Sequence, residues 1–146
     1  MKTDRFFTFV ILFWITSFDV FGQVQLTSSS RNQVEPYIAV NPTDYTNVVG
    51  AVISRYGVIG SGSTRNQISV FYSTNLGSSW TVSDPLNGNV YGNDPTVAFD
   101  ADGNCYLLYQ EDLPGSSLYI HKSTDGGVTW GGRVLVQQGN TSVNRH

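Results

Sequence analysis

Nine residues of the chain carry chemically useful side chains and lie in polar sequence between apolar segments. Arginine guanidinium groups can hold a carboxylate through two parallel hydrogen bonds. Carboxyl groups can transfer protons during glycoside hydrolysis. Each residue could equally be a solvated loop residue that touches no ligand. The candidates for a ligand-binding surface are Arg31, Glu35, Arg55, Tyr56, Arg65, Tyr91, Asp94, Glu111 and Asp112.

One further polar segment, Asp100–Asn104, has the pattern D-x-D-G-N of a calcium-binding loop. A complete EF-hand loop also needs a glutamate at its twelfth position. Glu111 occupies that position only if an intervening strand is ignored, so we interpret the segment as a hairpin turn. The sequence therefore predicts neither a metal site nor a cofactor.

The elements that must position these residues are short β-strands. Charged residues make up 13% of the 146 residues and aromatic residues another 13%, with 15 glycines, which is typical of an all-β protein with tight turns. The net charge of −3 provides no basic surface for nucleic acid or an anionic membrane. Eight strands are predicted, at Pro36–Val40, Val48–Ile53, Gln67–Tyr72, Trp80–Val82, Thr96–Phe99, Cys105–Tyr109, Leu118–His121 and Arg133–Val136.

The N-terminus differs from the rest of the chain. Lys2 and Arg5 precede an apolar run over Phe6–Phe18, which is shorter than the about 20 residues that span a bilayer. Residues 1–22 are therefore predicted to be a signal peptide, with a membrane anchor or a buried strand as the alternatives. We expect a secreted or cell-surface protein without a stable membrane span after cleavage. Its single cysteine, Cys105, is expected to pack in the core.

The predicted strands form two similar sets of four. The first set opens with Glu35–Asn41 and the second with Asp94–Asp100, each an acid, a proline and then an alanine. The later segments Ser73–Trp80 and Ser123–Trp130 also match, about fifty residues apart. Such a period with four strands per unit is typical of β-propeller blades. The predicted division is a segment 23–34, blades at 35–84 and 85–137, and the start of another blade at 138–146.

The segment Ser123–Trp130 reads S-x-D-G-G-x-T-W and resembles the Asp-box, or BNR repeat, of the sialidase superfamily. Ser73–Trp80 is a weaker copy. The resemblance implies a β-propeller, six-bladed when complete, in which the Asp-box is a structural turn. The aspartate accepts backbone N–H groups, the glycines adopt positive φ, the threonine starts the outer strand and the indole packs between sheets. The structural residues are Ser73, Asn75, Gly77, Trp80, Ser123, Asp125, Gly127, Thr129 and Trp130.

Strand direction alternates within a blade, so the two Asp-box turns are expected on one end of the sheets. The loops 31–35, 54–66, 84–94 and 110–117 are expected on the opposite end, which holds the ligand in sialidase-like propellers. The resemblance implies an arginine in an R-I-P motif there, but this chain reads Val34-Glu35-Pro36. The expected general acid is also missing, because no aspartate or glutamate lies between Asp44 and Asp84.

We therefore expect binding of a glycan or an extracellular protein rather than catalysis. The first alternative is an exo-α-sialidase or related glycoside hydrolase whose tyrosine nucleophile and glutamate lie in later blades. Another hydrolase chemistry that uses Glu35, Asp94 and Glu111 also stays open. A third alternative is a structural or adhesive surface module. Two blades cannot close a ring, so we expect a truncated reading frame, or otherwise an assembly of several copies.

Overall fold

The computed structural model of the chain describes residues 32–57, 64–83, 91–111 and 116–139, without the side chains of residues 55–57, 64 and 65. The predictions for the signal peptide, for Arg31 and for Asp112 lie outside these residues. So does most of the predicted start of another blade, at 140–146.

The described residues form two four-stranded antiparallel sheets and contain no helix. The first sheet contains β1 (Asn32–Val40), β2 (Val48–Gly57), β3 (Thr64–Ser73) and β4 (Thr81–Ser83). The second sheet contains β5 (Gly92–Phe99), β6 (Cys105–Glu111), β7 (Leu118–Ser123) and β8 (Val134–Gln137). Strand order in each sheet follows the sequence. The prediction of eight strands in two sets of four is confirmed, and the two sheets do not close into a ring.

Several predicted boundaries were wrong. The β2–β3 ladder continues to the pair Gly57 and Thr64, so Arg55, Tyr56 and Arg65 lie on strands and not in a loop. A β-ladder is held by backbone groups, so it can extend past the last apolar residue. Thr129 was expected to start the outer strand, but β8 begins at Val134.

The core lies between the sheets. We call the two facing surfaces the inner faces, and the opposite surfaces the outer faces. Because strand side chains alternate between faces, every second residue of β2 and β6 enters the core. The first sheet contributes Val49, Ala51, Ile68 and Val70, and the second contributes Val97, Cys105, Leu107 and Tyr109.

Cys105 lies in this core and is fully buried, as predicted. Burial raises the pKa of its thiol to about 12, although a backbone hydrogen bond at Tyr106 opposes this. The thiol is therefore neutral at physiological pH and behaves as a small apolar side chain.

The two sheets are copies of one unit in register as well as in sequence. Ser73 ends β3 and pairs with Val48, while Ser123 ends β7 and pairs with Cys105. Val48 and Cys105 are therefore equivalent positions, and so are Val70 and Ile120 on the third strands. This correspondence fixes which residue of one sheet matches which residue of the other.

Leu107 provides a test of the core. It is fully buried, and Leu107→Ala should destabilise the full chain by about 2–5 kcal/mol through lost burial and the cavity left behind. Urea unfolding followed by circular dichroism would measure the loss. Val136→Ala is the matched control, because Val136 is 54% exposed. Equal losses in the two variants would contradict the assigned core.

Candidate functional site

The turn Ser123–Trp130, which resembles an Asp-box and is called the second Asp-box turn below, is built around the Asp125 carboxylate. Its Oδ1 accepts hydrogen bonds from Ser123 Oγ and from the Thr129 backbone N–H, both at 2.8 Å. Its Oδ2 accepts one from Thr129 Oγ1 at 2.5 Å. Ser123 Oγ in turn accepts the backbone N–H of Gly127 at 2.9 Å. Asp125 thus connects the start and the end of the turn through both of its carboxylate oxygens.

These contacts set the titration of Asp125. Burial alone would raise the pKa of its carboxyl, but the hydrogen bonds from Thr129 and Ser123 outweigh burial and lower the pKa below 3.8. Asp125 is therefore ionised wherever the protein is at neutral pH, and it serves as an acceptor and not as an acid.

The first Asp-box turn achieves the same geometry without a charge. Asn75 Oδ1 accepts Ser73 Oγ at 2.9 Å and the Ser79 backbone N–H at 2.8 Å. Asn75 Nδ2 donates to Ser79 Oγ at 2.8 Å. A neutral amide can therefore replace the carboxylate when a hydroxyl faces it. Charge is not what the turn requires.

The second Asp-box turn also connects its own sheet to the first sheet through two hydrogen bonds. Asn47, in the β1–β2 turn, donates from Nδ2 to the carbonyl oxygen of Gly126 at 3.0 Å. Gly126 has a φ of 73°, and a Cβ added there would stand 2.7 Å from Asn47 Oδ1. The Trp130 indole N–H donates to Ser83 Oγ of β4 at 2.7 Å. Gly126 and Trp130 of the motif thus pack against the first sheet.

The turn Asp100–Asn104 is a hairpin turn, as interpreted from the sequence. Asp100 Oδ1 accepts the backbone N–H groups of Asp102 and Asn104 at 3.0 and 2.9 Å. Its Oδ2 accepts Asn104 Nδ2 at 2.8 Å and Tyr106 Oη at 3.0 Å. Hydrogen bonds, the one from the Asn104 side chain above all, lower the pKa of Asp100 to about 2. The residues of the D-x-D-G-N pattern are therefore accounted for by the hydrogen bonds that form this turn.

The end of the sheets opposite the two Asp-box turns carries two acids at equivalent positions, Glu35 and Asp94. We call this end the rim. Glu35 on β1 and Asp94 on β5 are exposed and have positive φ values of 53° and 51°. Each precedes a proline and lies where the strand pairing shifts register. Both were expected in loops, but they lie inside strands, at β-bulges. A left-handed residue before proline is strained, and strain of this kind concentrates at functional sites.

The rim is tied together by contacts between the sheets. Asn66 Nδ2 donates to Asn93 Oδ1 at 2.5 Å, beside Asp94. Tyr91 pairs through its backbone with Gln67 in an isolated β-bridge. The backbones of Arg55, Tyr56 and Arg65 reach the same end. The structure thus places most of the described candidates at one end of the sheets, where the Glu35 and Asp94 carboxylates are exposed and the Asn66 and Asn93 amides are half-buried.

Glu111 differs from Glu35 and Asp94, because an arginine forms an ion pair with its carboxylate. Arg133 donates to Glu111 Oε1 at 2.7 Å and lies over the Tyr119 ring at 4.3 Å. The bond to Glu111 raises the pKa of Arg133. Sequence reasoning missed this pair, since Arg133 was considered only as the start of a strand. The two residues are far apart in sequence, and only the β6–β7–β8 order brings them together.

Two buried polar groups lie behind this ion pair. Tyr109 Oη and His121 Nε2 are buried and have no hydrogen-bond partner within the described part of the chain. Burial raises the pKa of Tyr109, while the nearby Arg133 opposes that effect. His121 Nδ1 lies 2.8 Å from the Gly131 carbonyl oxygen, so Nδ1 carries the proton in that contact. Tyr109 is a neutral phenol at physiological pH.

The described residues contain no cluster of three or more histidine, cysteine, aspartate or glutamate side chains that could hold a metal ion. Nor do those residues include a helix long and apolar enough to cross a membrane.

No family model matches the chain, and no curated protein matches it. Among solved structures, a protein of unknown function from Dyadobacter fermentans is similar at 18% identity and a TM-score of 0.47. The match covers 61% of this chain and 24% of the Dyadobacter chain.

The geometry of the second Asp-box turn predicts that two substitutions of Asp125 destabilise the chain to different extents. Asp125→Ala removes three acceptor contacts and should destabilise the chain by about 1–2 kcal/mol. Asp125→Asn should cost less than about 0.5 kcal/mol, because Asn75 shows that an amide satisfies the same turn. Urea unfolding at pH 7 would measure both. Equal losses would show that the charge itself is required.

The Asp100 turn predicts a dependence on pH. The pKa of Asp100 is lower in the folded chain, about 2, than its ordinary value of 3.8, so its contribution is full above pH 4 and is lost as the pH falls towards 2. Asp100→Asn should therefore flatten the loss of thermal stability across that window. Asp102→Asn, at an exposed position of the same turn, is the control. Identical pH profiles for the wild type and Asp100→Asn would refute the assignment.

Proposed function

We propose that the two sheets are consecutive blades of an Asp-box β-propeller of the sialidase superfamily. The observation that carries the proposal is the fit of the second Asp-box turn against the first sheet, through Gly126 on Asn47 and Trp130 on Ser83. A turn that packs against the preceding unit is what a radial stack of blades requires. The matched register of the two sheets supports the same conclusion.

The proposed activity is binding of a glycan or an extracellular protein at the rim. Glu35 and Asp94 present exposed carboxylates on neighbouring first strands, with Asn66 and Asn93 beside them. Carboxylate and amide groups in this arrangement can accept and donate hydrogen bonds to hydroxyl groups. The strained backbone that holds the two acids supports a role in recognition, since a glycine or asparagine would fit the same φ at less cost.

Binding is favoured over hydrolysis because the described rim lacks a carboxylate-binding arginine at the expected position. Val34 stands there, and the adjacent Glu35 is exposed and would repel a substrate carboxylate. Glu111 is engaged by Arg133 and is not free to act as an acid or a base. The second candidate is an exo-α-sialidase or related glycoside hydrolase whose catalytic residues lie beyond this chain. A structural or adhesive surface module is the third.

Export is part of the same proposal, because the sequence begins with a predicted signal peptide. A secreted or cell-surface location would bring the rim into contact with glycans and extracellular proteins. The single, buried and neutral Cys105 is compatible with an oxidising environment, because the thiol is shielded from oxidants.

The test is binding of the full chain to a glycan array and to a panel of extracellular proteins, together with an assay on a fluorogenic sialoside. We expect binding without turnover. The double variant Glu35→Gln/Asp94→Asn should weaken binding by roughly tenfold through lost charge-assisted hydrogen bonds. Asp102→Asn, in a turn at the opposite end, should leave binding unchanged. Turnover of the sialoside by the full chain would overturn the proposal in favour of the enzyme.

A further inference from the structure

The peptide bond between Asp94 and Pro95 combines a strained backbone with a free side-chain carboxyl group. Asp94 is exposed and has a φ of 51°. A left-handed backbone is costly for a residue with a Cβ, and the ring of a following proline adds to that cost by crowding the residue before it. The Pro95 ring is fully buried, so packing holds it in place. The fold therefore maintains the strain at this bond.

The Asp94 carboxylate is free to approach its own backbone. Within the described part of the chain, it accepts no hydrogen bond and forms no ion pair. The carboxylates of Asp44, Asp100 and Asp125 differ, because each accepts hydrogen bonds within its own turn. Only Cβ and Cα separate the carboxyl group of an aspartate from its backbone carbonyl carbon, so rotation of a free side chain brings the two together. Such proximity makes intramolecular attack much faster than attack by a solvent molecule.

We propose that the chain cleaves itself at the Asp94–Pro95 bond in acidic solution. One oxygen of the protonated Asp94 carboxyl group attacks the Asp94 carbonyl carbon, and the carboxyl proton passes to the proline nitrogen. The bond between that carbon and that nitrogen breaks, which leaves a cyclic anhydride on Asp94 and a secondary amine on Pro95. Water then hydrolyses the anhydride to two carboxyl groups. The overall change is the hydrolysis of one peptide bond.

The proline favours this reaction in two ways. Its nitrogen belongs to a tertiary amide, and the alkyl group in place of a hydrogen makes the nitrogen more basic, so it accepts the carboxyl proton more readily. Breaking the bond also removes the crowding between the proline ring and Asp94, so the transition state releases part of the strain.

Cleavage would divide the chain between its two sheets. The shared core and the contact of Asn47 with Gly126 would still hold the two parts together. The inference does not depend on a ligand at the rim, and cleavage is measured without one.

The test incubates the full chain at the lowest pH at which circular dichroism shows it folded, and mass spectrometry follows cleavage. We expect fragments of residues 1–94 and 95–146, whose masses together exceed that of the chain by one water. The Asp94–Pro95 bond should be cleaved roughly tenfold faster in the folded chain than in urea at the same pH, because unfolding releases the strain. In urea its rate should match that of Asp84–Pro85, which has the same two residues. Equal rates at Asp94–Pro95 in the folded chain and in urea would overturn the proposal.

Two reciprocal substitutions provide matched variants, because each introduces the acid found at the equivalent position of the other sheet. Asp94→Glu should slow cleavage after residue 94 by roughly tenfold or more, since the longer side chain must close a larger ring and loses more rotamer freedom. Glu35 has a φ of 53° before a proline, so Glu35→Asp should create a second cleavage site there. That site should react more slowly, because Pro36 is exposed and less firmly held. A folded Glu35→Asp variant that is cleaved only after Asp94, or an unchanged rate in Asp94→Glu, would contradict the mechanism.

Discussion

The close approach of the second Asp-box turn to the first sheet is the contact on which the rest of the structure depends. Gly126 lets the turn reach Asn47, and Trp130 then reaches Ser83. These hydrogen bonds lie at one end of the packed core and are directional, so they favour one arrangement of the inner faces. At the opposite end, Asn66 and Tyr91 connect the two sheets; between these two sets of polar contacts the sheets share apolar packing, which is not directional.

This contact explains why the two copies of the motif differ. The second copy faces a preceding sheet, and it keeps a glycine where a Cβ would collide. The first copy faces no preceding unit among the described residues, and it has Leu76 at that position and Asn75 in place of the aspartate. Both turns nevertheless adopt the same hydrogen-bonding pattern. Folding of the hairpin and docking of the hairpin are therefore separate requirements of one short sequence.

The sequence was sufficient for features that depend on local pattern and on repetition. Alternating apolar residues located all eight strands, and the D-x-D-G-N segment was correctly interpreted as a turn. Contacts between distant residues could not be read in this way. The pair Arg133–Glu111 and the docking of Asn47 on Gly126 depend on sheet order and on the spacing between sheets. The ends of β2 and β3 were missed because backbone pairing continues where the apolar pattern stops.

The bulges at Glu35 and Asp94 have a consequence for how folding and recognition are connected. A left-handed residue before proline is held only while its strand is paired and its sheet is stacked, so local opening would relax the bulge and displace the carboxylate. A ligand that binds both acids in the bulged arrangement would therefore favour the stacked state over the open one. A ligand bound at the rim would in this way also stabilise the packing of the distant core.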